Sequence, residues 1–255
     1  MTADARPSLL TRISSFVRNQ LGYPMTLRVE VAGVRPKFRV ASDTERFRVE
    51  ALGGEREFVE AIVGSLRPDD VFFDIGASVG AVAVPGALRA GRVVAFEPDA
   101  AIRTRLEGNV AANRLANVEV VGWAVGAEKG KLELFSDGVD AASPSLVDLG
   151  RHGASTTVEV DSIDAALREG RLPRPTVLKI DIEGAEHAAL TGMRELLASA
   201  TPPRLVFLES HPEFLPKFGS SEAEVLALLE AAGYQQNEAS HRSAENHFVF
   251  ARRES

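Results

Sequence analysis

Val71-Phe72-Phe73-Asp74-Ile75-Gly76-Ala77-Ser78-Val79-Gly80 is the stretch on which the fold turns. A largely apolar run passes directly into Asp-x-Gly-x-x-x-Gly and then into residues with helical spacing. An apolar run without alternation is a strand covered on both faces, as in a parallel sheet. Gly76 permits a tight turn and keeps a Cβ away from any ligand approaching the backbone. The helix expected next would present N–H groups that lack intrahelical partners.

Outward from this stretch the same rhythm repeats. Short apolar runs recur at Arg92–Phe96, Val118–Val121, Val177–Ile180 and Leu205–Leu208, with a last pair of strands expected at Tyr234–Asn237 and His247–Ala251. Helical stretches separate them. Phe58, Val59, Ile62, Val63 and Leu66 form one apolar stripe, closed by Arg67-Pro68-Asp69-Asp70. Strands alternating with helices predict an α/β doubly wound, mostly parallel sheet. Residues 125–175 interrupt the rhythm. Lys131–Phe135 and Thr156–Val160 read as strands and Ser162–Glu169 as a short helix. The Gly-, Ser- and Asp-rich stretch 136–155 between those strands reads as a substrate-side loop. Pro85-Gly86 falls inside the helix after the glycine loop and predicts a bend or early break there.

Residues 1–54 read as an N-terminal α+β extension to a main domain over 55–255. Leu9, Leu10, Ile13, Phe16, Val17 and Leu21 have helical spacing, and residues 26–50 read as strands joined around Gly33 and around Ser42-Asp43. The extension is basic and is a candidate dimer contact or a cover for a sheet edge.

The 255 residues suit an α/β enzyme, and 45% hydrophobic with 25% charged residues is a globular composition. The absence of cysteine excludes disulfides, thiolate metal sites and a cysteine nucleophile. Net charge is −7, and residues 51–255 carry a net −11, which repels nucleic acid rather than attracting it. No apolar stretch approaches the roughly 18 residues of a membrane span, and no signal peptide is seen, so a cytoplasmic location is expected.

The glycine loop suits the zwitterionic amino-acid end of S-adenosyl-L-methionine (SAM), because Asp74 at the strand tip could accept bonds from an ammonium. A dinucleotide fingerprint fits less well. Counted from Gly76, its second and third glycines are Ser78 and Ala81. The next strand ends in Phe96-Glu97-Pro98, and Glu97 lies 21 positions after Gly76, where an acidic residue can accept both ribose hydroxyls. Trp123, the only tryptophan, follows the third strand and could pack on adenine.

Leu178-Lys179-Ile180-Asp181-Ile182-Glu183-Gly184-Ala185-Glu186 is the second dense cluster, three carboxylates closing a buried strand. Asp181 is the first choice as general base, with Glu183 and with His211 in Leu208-Glu209-Ser210-His211-Pro212 as further catalytic candidates. Glu186 is assigned to the following helix N-terminus, where a carboxylate is favoured anyway. His187 reads as a helix-surface residue, and His152, His241 and His247 lack convincing companions. Asp181, Glu183, Glu209 and His211 could act as hard metal ligands, but no fixed spacing demands a metal, and none is assigned.

With these motifs in order, the sequence resembles the FkbM family of methyltransferases over roughly residues 55–251. Asn109 with Asn113 and Ala124-Val125-Gly126 are weaker echoes. The resemblance implies a class I, Rossmann-like SAM-dependent methyltransferase with a seven-stranded sheet. It implies transfer to a hydroxyl of a sugar, glycolipid or natural product, so the expected partner is a small-molecule or glycan acceptor. By position it implies cofactor contacts from Asp74, Gly76, Ala77, Ser78, Gly80 and Glu97, and a functional Asp181-x-Glu183. Ser78 departs from the asparagine frequent in relatives. The competing expectations are a catalytically silent SAM-binding scaffold and an NAD-linked oxidoreductase.

Overall fold

The computed structural model describes residues 23–136, 154–242 and 245–252. The helix expected over 9–21, most of the loop expected over 136–155, and His152 lie outside the described residues.

The central sheet has seven strands. β3 (Val71–Ile75), β4 (Arg92–Phe96), β5 (Val118–Val121), β9 (Val177–Ile180) and β10 (Leu205–Ser210) run parallel. β12 (Asn246–Arg252) pairs antiparallel with β10, and β11 (Tyr234–His241) antiparallel with β12. The order across the sheet is β11-β12-β10-β9-β3-β4-β5. From β3 the chain winds outward through β4 and β5, then returns to β9 and winds the other way. The order therefore reverses between β3 and β9, and the crevice beyond their carboxyl ends is where such sheets bind ligands.

The buried runs feed two cores, because neighbouring residues on a strand face opposite sides. Phe72, Val93, Val177 and Phe207 join Ile62 of α2 (Arg56–Ser65), Val84 of α3 (Ala83–Ala87) and Leu106 of α4 (Ala100–Ala112) on one face. Phe73, Val94, Leu178 and Val206 meet the other face's helices: α5 (Ile163–Arg168), α6 (Glu186–Thr191), α7 (Arg194–Leu197) and α8 (Glu222–Ala231). Truncating a fully buried ring such as Phe73 to alanine typically costs about 3–5 kcal/mol.

β1 (Met25–Arg28) and β2 (Lys37–Val40) pair antiparallel, as the alternating residues predict. The strand expected after Ser42-Asp43 is instead α1 (Asp43–Glu50). Ser42 Oγ accepts from Glu45 N at 3.1 Å, and Glu45 Oε2 accepts from Ala41 N at 2.6 Å. This S-x-x-E reciprocity starts a helix, and it outweighs the weak alternation that suggested a strand. Asn109 of α4 and Asn113, which caps its C-terminus, dock the open edge of β2: their side-chain oxygens accept from Arg39 N and Lys37 N at 2.7 and 2.8 Å. Asn109 Nδ2 also donates to Val79 O at 2.9 Å, tying the glycine loop to the same post.

The break near Pro85 takes the form of a short α3 that starts only at Ala83 and ends at Ala87. Pro85 falls in its first turn, between Val84 N and Gly86 N, which donate to Gly80 O and Val82 O, and the proline has no N–H to add to this run. β6 (Ala124–Val125), β7 (Gly130–Ser136) and β8 (Ala154–Asp161) form a small second sheet beside the end of β5. Among the described residues, no helix is long and apolar enough to cross a membrane.

Candidate active site

The loop after β3 is held by backbone bonds to the end of β4 and within itself. Gly76 N and Ala77 N both donate to Phe96 O, at 3.1 and 2.9 Å, and Gly80 N donates to Ala77 O at 2.9 Å. These amides are therefore already engaged, two with the end of β4 and one within the loop. Gly76 has φ +82°, and a Cβ there would stand 1.9 Å from the Asp181 carbonyl oxygen. Its glycine is required by the close approach of the loops after β3 and β9. Gly80, at φ +91°, leaves room for Leu106 of α4. Ser78 also takes a positive φ, +49°, a conformation that asparagine adopts more readily than serine. Its Oγ accepts from Arg48 at 2.8 Å.

Glu97, at the tip of β4, is 5% exposed. Its Oε2 accepts from Ser78 N at 3.0 Å and its Oε1 from Asp99 N at 2.9 Å. Each carboxylate oxygen keeps a second acceptor site, enough for a vicinal diol. Burial pushes its pKa up to about 7, against the pull of these two amides. Glu97 lines an open cleft with Ile75, Phe96, Trp123 and Ile182 among its apolar walls. Trp123 is braced edge-on by Phe96, with ring centroids 5.1 Å apart.

Gly76, Ser78, Asp181 and Glu183 line this cleft and also an adjoining one, which continues to Ala77, Lys179, Glu209 and His211. Nearly all the residues singled out from the sequence thus meet on one continuous surface. Asp74 and Gly80 do not. Asp74 is fully buried and lines neither cleft, and the ammonium it faces, at 3.2 Å, is that of Lys179. The expected contact between Asp74 and a ligand's ammonium gives way to this internal pair.

Lys179 Nζ also donates to Gly76 O at 2.8 Å and lies 3.0 Å from Asp181 Oδ2. Burial opposes its charge, but Asp181 and Asp74 outweigh burial and hold the ammonium well above its ordinary pKa. Asp181 is pushed upward by burial and by Glu209, against the pull of Lys179 and His211. Glu209 moves the other way: burial would raise it, but His211 and His247 draw it well below the usual carboxylate range. Burial disfavours the charged ring of His211, yet Glu186 and Glu209 outweigh it and push the pKa up to about 11. The same partners favour the charged ring of His211, the residue that the sequence offers as a further catalytic candidate.

Glu186 was placed by sequence at a helix N-terminus, and it does open α6. It is nevertheless completely buried, accepting from Gly184 N at 3.1 Å and lying 2.7 Å from His211 Nδ1. His247 does have companions: Glu209 Oε2 at 3.4 Å and the Phe58 ring stacked at 4.1 Å. Lys179 was the legible omission, a lysine within an otherwise apolar buried strand. Glu186 stood in the carboxylate cluster after β9, but its pairing with His211 carried no local signal, and neither did the companions of His247.

The residues present fit SAM. An acidic tip with spare acceptor sites suits a ribose, and an indole wall suits a purine.

Comparison with known proteins agrees. The model of the methyltransferase FkbM domain matches residues 74–235. Hexuronic acid methyltransferase AglP from Haloferax volcanii is 30% identical over 192 residues, covering 74% of this chain and 75% of that protein. Among solved structures, a protein described as a SAM-dependent methyltransferase from Streptococcus mutans matches with a TM-score of 0.50 at 10% identity, over 89% of this chain and 56% of that one. The methyltransferase FkbM from Methylobacillus flagellatus matches with a TM-score of 0.48 at 20% identity, over 73% of this chain and 45% of that one. This chain therefore spans about half the length of each of those two solved chains.

Proposed function

The chain belongs to the FkbM methyltransferase family, with SAM as its cofactor and the class I methyltransferase fold, and we propose that it methylates a hydroxyl of a sugar or glycan. The NAD-linked alternative falls with that membership.

The observation that carries the reading is the continuous surface from Glu97 and Trp123 to Asp181, Glu183 and His211. Its first half is apolar with one buried acid, as an adenosine requires. Its second half adds the charged side chains of Lys179, Glu209 and His211, groups that can bond a hydroxylated acceptor. The 30% identical relative AglP, a hexuronic acid methyltransferase by name, supports a sugar acceptor. Bound SAM supplies an electrophilic sulfonium methyl: the O–C bond forms as the S–C bond breaks, the sulfur leaves as a neutral thioether, and the hydroxyl proton passes to a base of the chain.

Asp181 and Glu183 are the carboxylates common to both halves, and they receive that proton between them. Lys179 holds Asp181 Oδ2, so the Asp181 carboxylate is oriented before any acceptor arrives. Much of the rate then comes from aligning acceptor oxygen, methyl and sulfur.

The test is transfer of a labelled methyl from SAM to a panel of hexoses, hexuronic acids and lipid-linked glycans. Label appearing as a methyl ether, lost at least about 100-fold in Asp181→Ala with S-adenosylhomocysteine affinity kept, supports the reading. Label found only on nitrogen or carbon acceptors overturns it.

A further inference from the structure

The geometry points to a divalent cation held by Asp181 Oδ1, Glu209 Oε1 and His211 Nε2 at the floor of the acceptor half of the cleft. The proposal rests on reading that half as the acceptor site.

The three donors come from the ends of β9 and β10, and all three residues line the cleft. His211 Nε2 lies 3.4 Å from Glu209 Oε1 and 3.9 Å from Asp181 Oδ1. A charge-assisted hydrogen bond is shorter, about 2.7–2.9 Å. Donors bound at about 2.1 Å around one ion stand roughly 3.0–3.4 Å apart, so a small side-chain adjustment closes the set. The other oxygen of Glu209 repeats the pattern. Its Oε2 is 3.4 Å from His247 Nε2, and that nitrogen, on a residue 6% exposed, has no hydrogen-bond partner. Glu209 thus sits between two imidazole nitrogens, 3.4 Å from each.

The supporting shell is already in place. Glu186, fully buried, fixes His211 through Nδ1 and so directs Nε2 into the cleft, the usual partner of a ligating imidazole. Lys179 fixes the opposite oxygen of Asp181. Asp181 and Glu209 bring two carboxyl groups to this floor, with Asp74 and Glu186 buried behind it, and the Lys179 ammonium beside them is already engaged with Asp74 and Gly76 O. Two carboxylates and one imidazole form a hard, oxygen-rich set suited to Mg²⁺ or Mn²⁺, with positions left for acceptor oxygens. A cation there makes the acceptor hydroxyl easier to deprotonate. With Asp181 engaged, Glu183 is the carboxylate that faces the departing proton.

Mn²⁺ titrated into the chelator-treated full chain, followed by electron paramagnetic resonance, tests this without turnover. One Mn²⁺ per chain is expected, displaced by Mg²⁺. Glu209→Gln and His211→Gln should each weaken Mn²⁺ binding at least about 10-fold, with S-adenosylhomocysteine affinity within about twofold of wild type as the folding control. If either variant fails that control, the wild-type stoichiometry and the milder Glu186→Gln variant decide. No saturable Mn²⁺ binding by the wild-type chain, or equal affinity in the folded variants, overturns the cation site. Failure of the acceptor panel with Mn²⁺ binding intact would count against the sugar reading alone.

Discussion

Glu186 Oε1 and His211 Nδ1 lie 2.7 Å apart although 25 residues separate them in sequence. The pair bolts the start of α6 to the loop after β10 and sets which ring nitrogen faces the cleft. Glu186→Gln should therefore lower kcat about 10–100-fold while leaving KM for SAM within about twofold. Steady-state kinetics with the acceptor saturating checks this. A rise in KM for SAM with kcat unchanged would show that the pair serves cofactor binding instead.

Glu97 should make cofactor affinity depend on pH. Burial raises its pKa to about 7, and ribose hydroxyls donate best to the ionised carboxylate. Affinity for S-adenosylhomocysteine should thus rise as pH increases through about 7 and weaken below it. Glu97→Gln should flatten this profile and cost about 10-fold or more in affinity. Calorimetry between pH 5.5 and 8.5 reads both effects, and an unchanged slope in the variant would count against the ribose contact.

Gly76→Ala should destabilise the protein by more than about 2 kcal/mol, because φ +82° is strained for alanine and its Cβ would collide with the Asp181 carbonyl. Chemical denaturation measures it. A loss under about 0.5 kcal/mol would mean that the loops after β3 and β9 separate at little cost.

At the opposite end of the sheet, Asp70 accepts from Arg204 at 2.6 and 3.2 Å, from Thr176 Oγ1 at 2.7 Å and from Arg67 N at 2.7 Å. Burial pushes its pKa up, but these donors outweigh it and leave a net depression. A depressed folded-state pKa adds stability above the carboxyl's ordinary value of 3.8 and loses it as pH falls below that value. Asp70→Ala should cost about 3 kcal/mol at pH 7, and the gap from wild type should narrow toward pH 3. Denaturation curves at both pH values decide it.

The doubly wound sheet was legible because its information is local. Val71–Ile75, Arg92–Phe96, Val118–Val121 and Val177–Ile180 fall where the apolar runs predicted them, since a strand buried on both faces tolerates little else. Gly76 and Glu97 were legible for a similar reason: one chain segment carries strand, turn and acidic tip at set spacings. α1 was also within reach, for Ser42-x-x-Glu45 is a short-range capping signal that weak alternation obscured.

The polar floor of the site was decided only by tertiary structure. Asp74 faces Lys179 because β3 and β9 pair in that register, and Glu209 faces His247 because β10 and β12 do. Neither pairing has a short-range signature. Burial then turns each juxtaposition into chemistry, since a charge removed from water must find a partner among whatever the strands bring beside it. By itself the sequence determined the strands, the glycine loop and the acidic tip of β4. Strand register and desolvation decided that Asp74 serves Lys179 and that Glu186 orients His211.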